Sequence, residues 1–222
     1  MNKGWAIIIN PQSRAGATKK KTSIIKRLLN SEKINFSCYK TRSAGEEINI
    51  VERAVKKGFR KFICVGGDGT IQKIIAGIQI QKVCDPKKIV IGIVPLGTGN
   101  DWAKSIKIPL NIKRAIKKIK EGKTRKRDLG VVVIKGKREI KKRYFISYSG
   151  VGFDTFMLKR LQKYKWLGKY AYLACAIANC WFYKNTKIWI KGEKFSLSKS
   201  VFLCGVGAVS YTHLTLPTIL LV

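Results

Sequence analysis

Acidic residues are scarce in this chain. Only 12 Asp and Glu stand against 46 Lys and Arg, leaving a formal net charge of +34 over 222 residues. A field of that size draws nucleic acid, anionic lipid or polyphosphate, and its sign alone does not choose among them. Much of the excess is lysine spread through helical segments, so a generally solvated basic surface stands beside a dedicated binding patch as a reading. Histidine occurs once, at His213, and the six cysteines (Cys38, Cys64, Cys84, Cys175, Cys180, Cys204) contain no Cys-x-x-Cys pair. The spacing argues against a zinc site, and the thiols read as buried and reduced in a cytoplasmic protein. Long apolar runs are missing too. No stretch reaches the roughly 18 residues of a membrane span. The nearest, "YAYLACAIANCWFY" at 170–183, is bounded by Lys169 and Lys184 and suits a buried or interfacial helix. The apolar run in "MNKGWAIIINPQ" is too short for a signal peptide and ends in Asn-Pro, so no export is expected. There is no internal repeat.

What is present can fold. At 45% hydrophobic residues the chain can bury a substantial core, as one large domain or two small ones, and is neither disordered nor fibrous. The first half alternates strand and helix signals. "WAIII" (5–9), "INFSCY" (34–39), "KFICV" (61–65) and "IVIGIV" (89–94) read as strands, the first central in a parallel sheet and the last buried. Between them lie a helix carrying Ile24, Ile25, Leu28 and Leu29 on one face, the amphipathic "EEINIVERAVKKG" (46–58), and "TIQKIIAGIQI" (70–80). The alternation predicts an α/β fold: an N-terminal Rossmann-like three-layer domain with a parallel sheet over 1–124. After the basic helix at 111–122 the rhythm changes. A hairpin turning at Gly136, a long apolar helical stretch from Phe156 to Phe182, and the strands "TKIWIKG" and "SVFLCGVG" predict an incomplete β-rich second domain, a β-sandwich, over 125–208.

The last residues are of a different kind. "VSYTHLTLPTILLV" (209–222) contains no Lys, Arg, Asp or Glu, and its first ten residues resemble the translation of a transposase sequencing adapter. Residues 209–222, His213 included, are therefore expected to be a non-native tail, with the natural sequence continuing elsewhere.

Three polar, glycine-bearing segments follow predicted strands: "NPQSRAG" (10–16), "GGDGT" (66–70) and "PLGTGND" (95–101). In a parallel sheet such loops gather at the carboxyl ends of the strands, where ligands bind. Glycines let backbone N–H groups approach a phosphate closely. An aspartate among them repels phosphate unless a cation lies between, so Asp68 suggests metal-assisted nucleotide chemistry.

Taken in this order, the three segments resemble the catalytic domain of the diacylglycerol kinase and sphingosine kinase family of lipid kinases, the soluble bacterial type in particular. "RDLG" (127–130) and "SGVGFD" (149–154) also resemble family segments. The resemblance implies phosphoryl transfer from ATP, with Mg²⁺, to a lipid hydroxyl such as that of diacylglycerol, in phospholipid biosynthesis. By motif it implies an ATP site at Asn10, Ser13, Thr41, Gly66, Gly67, Asp68, Gly69, Thr70 and Thr98, with Asp68 central to catalysis. Asp68, Asp101 and Asp128 are the implied holders of Mg²⁺ or its waters. Two simpler readings stay open: Asp101 as the cap of a following helix, and Asp128 as a surface partner of Arg125 or Arg127.

The chain departs from the family pattern in three places. Gln72 and Lys73 stand where an Asn and a Glu usually follow "GGDGT", and Lys73 reverses a charge there. "RSAGEE" after Thr41 lacks the usual His-Ala pair. The Asp-Gly-x-Leu-Asp/Glu segment implied to carry the general base is absent, which predicts ATP binding with impaired transfer.

Residues 113–143 hold fifteen Lys or Arg, including "KTRKR". These suit the anionic inner face of a membrane, where the protein would sit peripherally beside its lipid substrate. The aromatics Tyr164, Trp166, Tyr170, Tyr172, Trp181 and Phe182 lie in apolar context. They form either a core helix or a lipid-facing one, and no stacking platform for a specific nucleic acid is evident. A homodimer is left open. Two other functions remain: a kinase of a soluble alcohol such as NAD, or a basic nucleotide- or nucleic-acid-binding module without catalysis, whose affinity would fall steeply with salt.

Overall fold

The computed structural model describes residues 3–11, 17–43, 45–135, 139–192 and 195–208. Ser13, the turn at Gly136 and the tail at 209–222 lie outside them. The chain divides into two compact units, Met1–Ser147 and Tyr148–Val222.

In the first unit, β1 (Trp5–Ile9), β2 (Phe36–Lys40), β3 (Lys61–Gly66) and β4 (Val90–Pro95) form one sheet in the order β2-β1-β3-β4, every pair parallel. The two middle strands are the most deeply buried: Ala6 to Ile9 and Phe62 to Val65 are wholly buried. Apolar side chains on both faces require cover on both faces. On one, Ile7, Ile9, Ile63, Val65 and Val94 pack with Ile25 and Leu29 of α1 (Ala17–Ser31) and with Ile116 further along the chain. On the other lie α2 (Glu46–Lys56) and α3 (Asp68–Ile80), which press closely together. A Cβ on Gly77 of α3 would meet the Ile48 Cα and the Val51 Cβ at 3.1 Å, so a side chain there would push the two helices apart by a few tenths of an ångström.

Beyond β4 come the short α4 (Asp101–Ser105) and then α5 (Ile112–Glu121). The Asn111 side chain caps α5 by accepting the Arg114 N–H at 3.1 Å, and Gly122 ends it with φ of 70°. The unit closes with an antiparallel hairpin, β5 (Gly130–Lys135) and β6 (Ile140–Phe145). β6 packs against α3, where the Gln72 side-chain amide donates to the Tyr144 carbonyl at 3.4 Å. The hairpin therefore groups with the first unit, although the sequence reading begins the second domain at 125.

The second unit holds β7 (Tyr148–Gly152), α6 (Phe153–Arg160), α7 (Ala171–Asn179), β8 (Thr186–Lys191), β9 (Ser196–Val201) and β10 (Leu203–Gly207). β7 pairs with β10 and β8 with β9, both antiparallel. The single hairpin expected over 127–154 is thus three strands in two sheets. The long helix expected from Phe156 to Phe182 is broken by 3₁₀ turns at Leu161–Tyr170 and Cys180–Phe182. A small core of Phe153, Met157 and Cys175 packs with Phe156, Tyr183 and Phe202, with the Phe153 and Phe202 rings stacked at 4.4 Å. Most of the aromatic stripe stays outside it: Trp166 and Trp181 are 80% and 89% exposed, and Tyr170, Tyr172 and Phe182 are exposed as well. That corrects the core-helix reading. All six cysteines are free thiols, but only Cys64 and Cys175 are buried, and Cys180 is exposed.

Candidate functional site

The strand order fixes where a site can form. From β1 the chain moves outward to β2, then crosses back past β1 to β3, so the crevice at the carboxyl ends opens between β1 and β3. Asn10 follows β1 and donates its N–H to the Val65 carbonyl at 3.3 Å. Gly66 ends β3, Gly67 precedes α3, and Asp68 is its first residue. Thr41, just past β2, is buried and donates its N–H to the Ile9 carbonyl at 3.0 Å.

Two glycine turns meet here. A Cβ on Gly67 would fall 2.7 Å from the Gly97 Cα, so the "GGDGT" and "PLGTGND" turns touch through their backbones. Asn100 shapes the second turn. Held at φ 53°, it accepts the Gly97 N–H at 2.7 Å and donates to the Gly97 carbonyl at 2.9 Å. Asp68 then joins the turns: its carboxylate accepts the backbone N–H of Asp101 at 3.1 Å and of Trp102 at 3.0 Å. The aspartate that caps α4 is thus Asp68, not Asp101. The Asp101 side chain is exposed and pairs with Lys104 at 3.3 Å.

Asp68 and Asp101 are close to one another, since a Cβ on Gly99 would approach Oδ2 of Asp101 at 2.8 Å and Oδ2 of Asp68 at 3.4 Å. Asp128 lies exposed in the irregular stretch between α5 and β5. Among the described residues no three His, Cys, Asp or Glu side chains gather as a metal-binding cluster. A carboxylate pair still fits Mg²⁺, which keeps most of its waters and takes one or two carboxylates beside substrate phosphates.

Gly69 faces open space, with no atom within 4 Å of a Cβ placed there. Thr70 is buried, and its Oγ1 stands where a Cβ on Gly66 would come within 2.7 Å. Thr98 is exposed on a cleft of about 560 Å³ that begins at the end of β4. Its lining includes Leu28, Leu96 and Ile112, while Lys21, Lys104 and Lys113 supply charge, with no acid among the described lining residues. Lysines over an apolar floor suit an anion carrying an apolar or aromatic body.

Two residues here were not singled out by motif. One is Asn100, inside the quoted "PLGTGND". The other is Glu47, wholly buried and bonded to Asn10 at 3.2 Å and to the Gly45 N–H at 3.1 Å, with the Lys73 ammonium 3.9 Å away. A Glu-Glu doublet in so acid-poor a chain was the available signal. Its neighbour Glu46 accepts the Arg42 N–H at 2.6 Å, and that bond holds its carboxyl below the usual range. Burial pushes the Cys64 thiol far up, so it stays protonated in the core.

Comparison with known proteins agrees with this geometry. The family model described as "Diacylglycerol kinase catalytic domain" matches residues 4–132. A diacylglycerol kinase of Staphylococcus carnosus (strain TM300) is 33% identical over 157 residues, covering 70% of this chain and 47% of that protein. One of Staphylococcus aureus (strain MRSA252) is 33% identical over 154 residues, covering 68% and 44%. The chain thus spans a little under half the length of these curated relatives. The solved structure of a diacylglycerol kinase from Bacillus anthracis str. Sterne superposes with a TM-score of 0.62 at 21% identity, over 94% of this chain and 65% of that one. A second structure from that strain gives 0.68 at 20% identity, over 94% and 67%. With the family model covering both glycine turns and all four parallel strands, the chain belongs to the diacylglycerol kinase catalytic domain family.

Proposed function

We propose that the first unit binds ATP and serves an ATP-dependent kinase whose acceptor is a lipid hydroxyl, that of diacylglycerol or a relative. The observation carrying this reading is the Asp68 clamp, which locks two glycine turns together at the switch point of a parallel sheet. Phosphoryl transfer asks a protein mainly for positioning and for neutralising charge. Gly67 and Gly69 bring backbone donors to a phosphate chain. Asn10, Ser13, Thr41, Thr70 and Thr98 add polar groups without adding charge, and Lys21 and Lys104 offset the phosphates. Mg²⁺, when bound, supplies further neutralisation, with Asp68 and Asp101 its holders or the holders of its waters and Asp128 a third candidate.

The residues 1–124 act in this reading as the nucleotide-binding domain and 125–208 as part of the lipid-facing one. No helix of the described residues is long and apolar enough to cross a membrane. The basic segment around 113–143 and the exposed Trp166 and Trp181 favour peripheral work at the anionic cytoplasmic face. With no Asp-Gly-x-Leu-Asp/Glu segment in the sequence, the chain as given binds nucleotide and transfers phosphate poorly.

The test is equilibrium binding of MgATP to the chain, together with transfer of labelled γ-phosphate to diacylglycerol in mixed micelles. Saturable binding that disappears in Asp68→Ala, with slow labelling of lipid, is the expected result. Binding of MgATP with labelling of NAD instead of lipid would move the acceptor class. Affinity that ignores Mg²⁺ and falls steeply with salt would replace the kinase reading by a non-catalytic one.

A further inference from the structure

The hairpin β8–β9 of the second unit has two faces of opposite character. Successive side chains of a strand point to opposite sides, so Lys187, Trp189 and Lys191 share one face of β8 while Ile188 and Ile190 share the other. The antiparallel register extends both. Lys187 stands across from Ser200, Trp189 from Ser198 and Lys191 from Ser196, whereas Ile190 stands across from Leu197. Burial follows the same division. Ile188, Ile190 and Leu197 are half-buried and Val201 is buried, while the Lys, Trp and Ser residues of the first face are all exposed, Trp189 by 68%. Lys199, across from Ile188, is the one charge on the apolar face. A core takes the apolar face, so the face of lysine, indole and serine is the one left for solvent or for a partner.

The chemistry of that face selects the partner. Ammonium groups only donate hydrogen bonds and hydroxyls can donate, so the lysines and serines together suit anionic oxygens. Lys187 and Lys191 are about 13 Å apart along the strand, far enough to meet separate phosphate groups with the indole between them. Tryptophan settles at the boundary of water and acyl chains, where its ring is apolar and its N–H stays wet, and lysines beside it are drawn to anionic headgroups. Past Asp154 the sequence holds ten Lys or Arg and one acid, Glu193, which lies outside the described residues. Tyr183 ties the start of β8 to the 3₁₀ turn before it, its hydroxyl 2.9 Å from Thr186 Oγ1, and in that turn Trp181 and Phe182 are exposed as well. A single strand of nucleic acid asks for a succession of rings, and this face has one.

We propose that the face of Lys187, Trp189 and Lys191 is the membrane-docking surface of the second unit, with the indole seated at the interface of an anionic bilayer and the two ammonium groups on lipid phosphates. The inference rests on the reading of the chain as a protein that works peripherally at such a surface.

The experiment is cosedimentation with vesicles of two parts phosphatidylcholine to one part phosphatidylglycerol, and with phosphatidylcholine alone. The proteins are the wild-type chain, Lys187→Ser with Lys191→Ser, Trp189→Phe, and a control pair, Lys87→Ser with Lys88→Ser, exposed lysines of the first unit. Melting temperatures and MgATP binding are followed in each and should not change. The hairpin pair should lose about thirtyfold in affinity for the anionic vesicles, the effect of withdrawing two basic groups from the surface. The control pair, which is not on the docking face, should lose only a few-fold. Brominated phosphatidylcholine in the vesicles should quench the tryptophan fluorescence of the wild type, and Trp189→Phe should remove the largest part of that quenching. Equal losses in the two lysine pairs overturn the inference, as does quenching that survives in full in Trp189→Phe. Hairpin variants that lose affinity for a single-stranded oligonucleotide and keep it for vesicles overturn it in favour of the other polyanion. Should the lysine pair fail to fold, the quenching of Trp189, read on the wild type against Trp189→Phe, still decides. A wild-type chain that ignores anionic vesicles overturns both this inference and the peripheral reading, whereas vesicle binding that the hairpin variants leave intact overturns this one alone.

Discussion

Gly67 and Gly97 stand backbone against backbone, so close that a Cβ on the first would lie 2.7 Å from the Cα of the second. Neither needs a left-handed backbone, so the demand for glycine is one of space alone. That contact brings the two glycine turns together, and it separates two kinds of glycine in the same short motif.

Gly97→Ala should therefore destabilise the first unit by about 1–3 kcal/mol, the usual cost of overpacking, and take MgATP binding with it. Gly69→Ala should leave stability within about 1 kcal/mol of wild type, since its Cβ meets nothing and alanine favours the helix it opens. It should nonetheless weaken MgATP, because the new methyl occupies the space a phosphate needs. Denaturant melts beside calorimetric titrations check both halves of the contrast.

The Asp68 carboxylate answers two backbone N–H groups at the start of α4, those of Asp101 and Trp102. Asp68→Ala leaves both donors without it and, with hydrogen bonds to charged groups worth about 1.5–3 kcal/mol each and partial compensation by water, should cost about 2 kcal/mol. Asp68→Asn keeps one acceptor oxygen and should lose about half as much. If Asp68 were only a metal ligand, the two variants would melt alike with the parent, and limited proteolysis would show no new cleavage at 96–101.

Lys73→Met removes the cation facing Glu47. The Lys73 side chain is 38% exposed and its ammonium 3.9 Å from the carboxylate, so solvent screens the pair and the loss should be about 1 kcal/mol, well short of a fully buried bridge. Urea melts of Lys73→Met and Lys73→Arg check this, with arginine expected to retain most of the stability.

The parallel sheet was legible because β1, β3 and β4 are apolar runs rich in Ile and Val that require burial, and the turns because glycine-bearing polar segments follow those three strands. The Asp68 clamp was not. Nothing in "GGDGT" says that its aspartate spends both oxygens on a helix 33 residues later, since that bond exists only once β3 and β4 lie side by side. Glu47 was hidden for the same reason: its partners Asn10 and Lys73 are distant in sequence and meet only across the sheet end. In the second unit, apolar periodicity predicted one long helix from Phe156 to Phe182. Composition could not show that Trp166 and Trp181 would face outward, because an aromatic residue reads alike in a core and on an apolar surface.

Tyr148 gives the second unit a test of its own. It begins β7, near Asp154 and Tyr172 at the start of α6 and on α7. Although its side chain is 42% exposed, partial desolvation, followed by the Asp154 charge and hydrogen bond, pushes its hydroxyl from the ordinary value of 10 up to about 12. The same causes raise Tyr172, whose hydroxyl donates to Asp154 at 3.5 Å. The fold thus favours the neutral phenols. Their contribution is fully present below pH 10 and is lost as pH rises toward about 12, because the unfolded chain ionises first. Tyr148→Phe should flatten the decline in stability between those limits and remove one late-titrating phenol from the ultraviolet absorbance curve. A Tyr148 that ionises at its ordinary value would show that neither the desolvation nor the Asp154 carboxylate acts on it in solution.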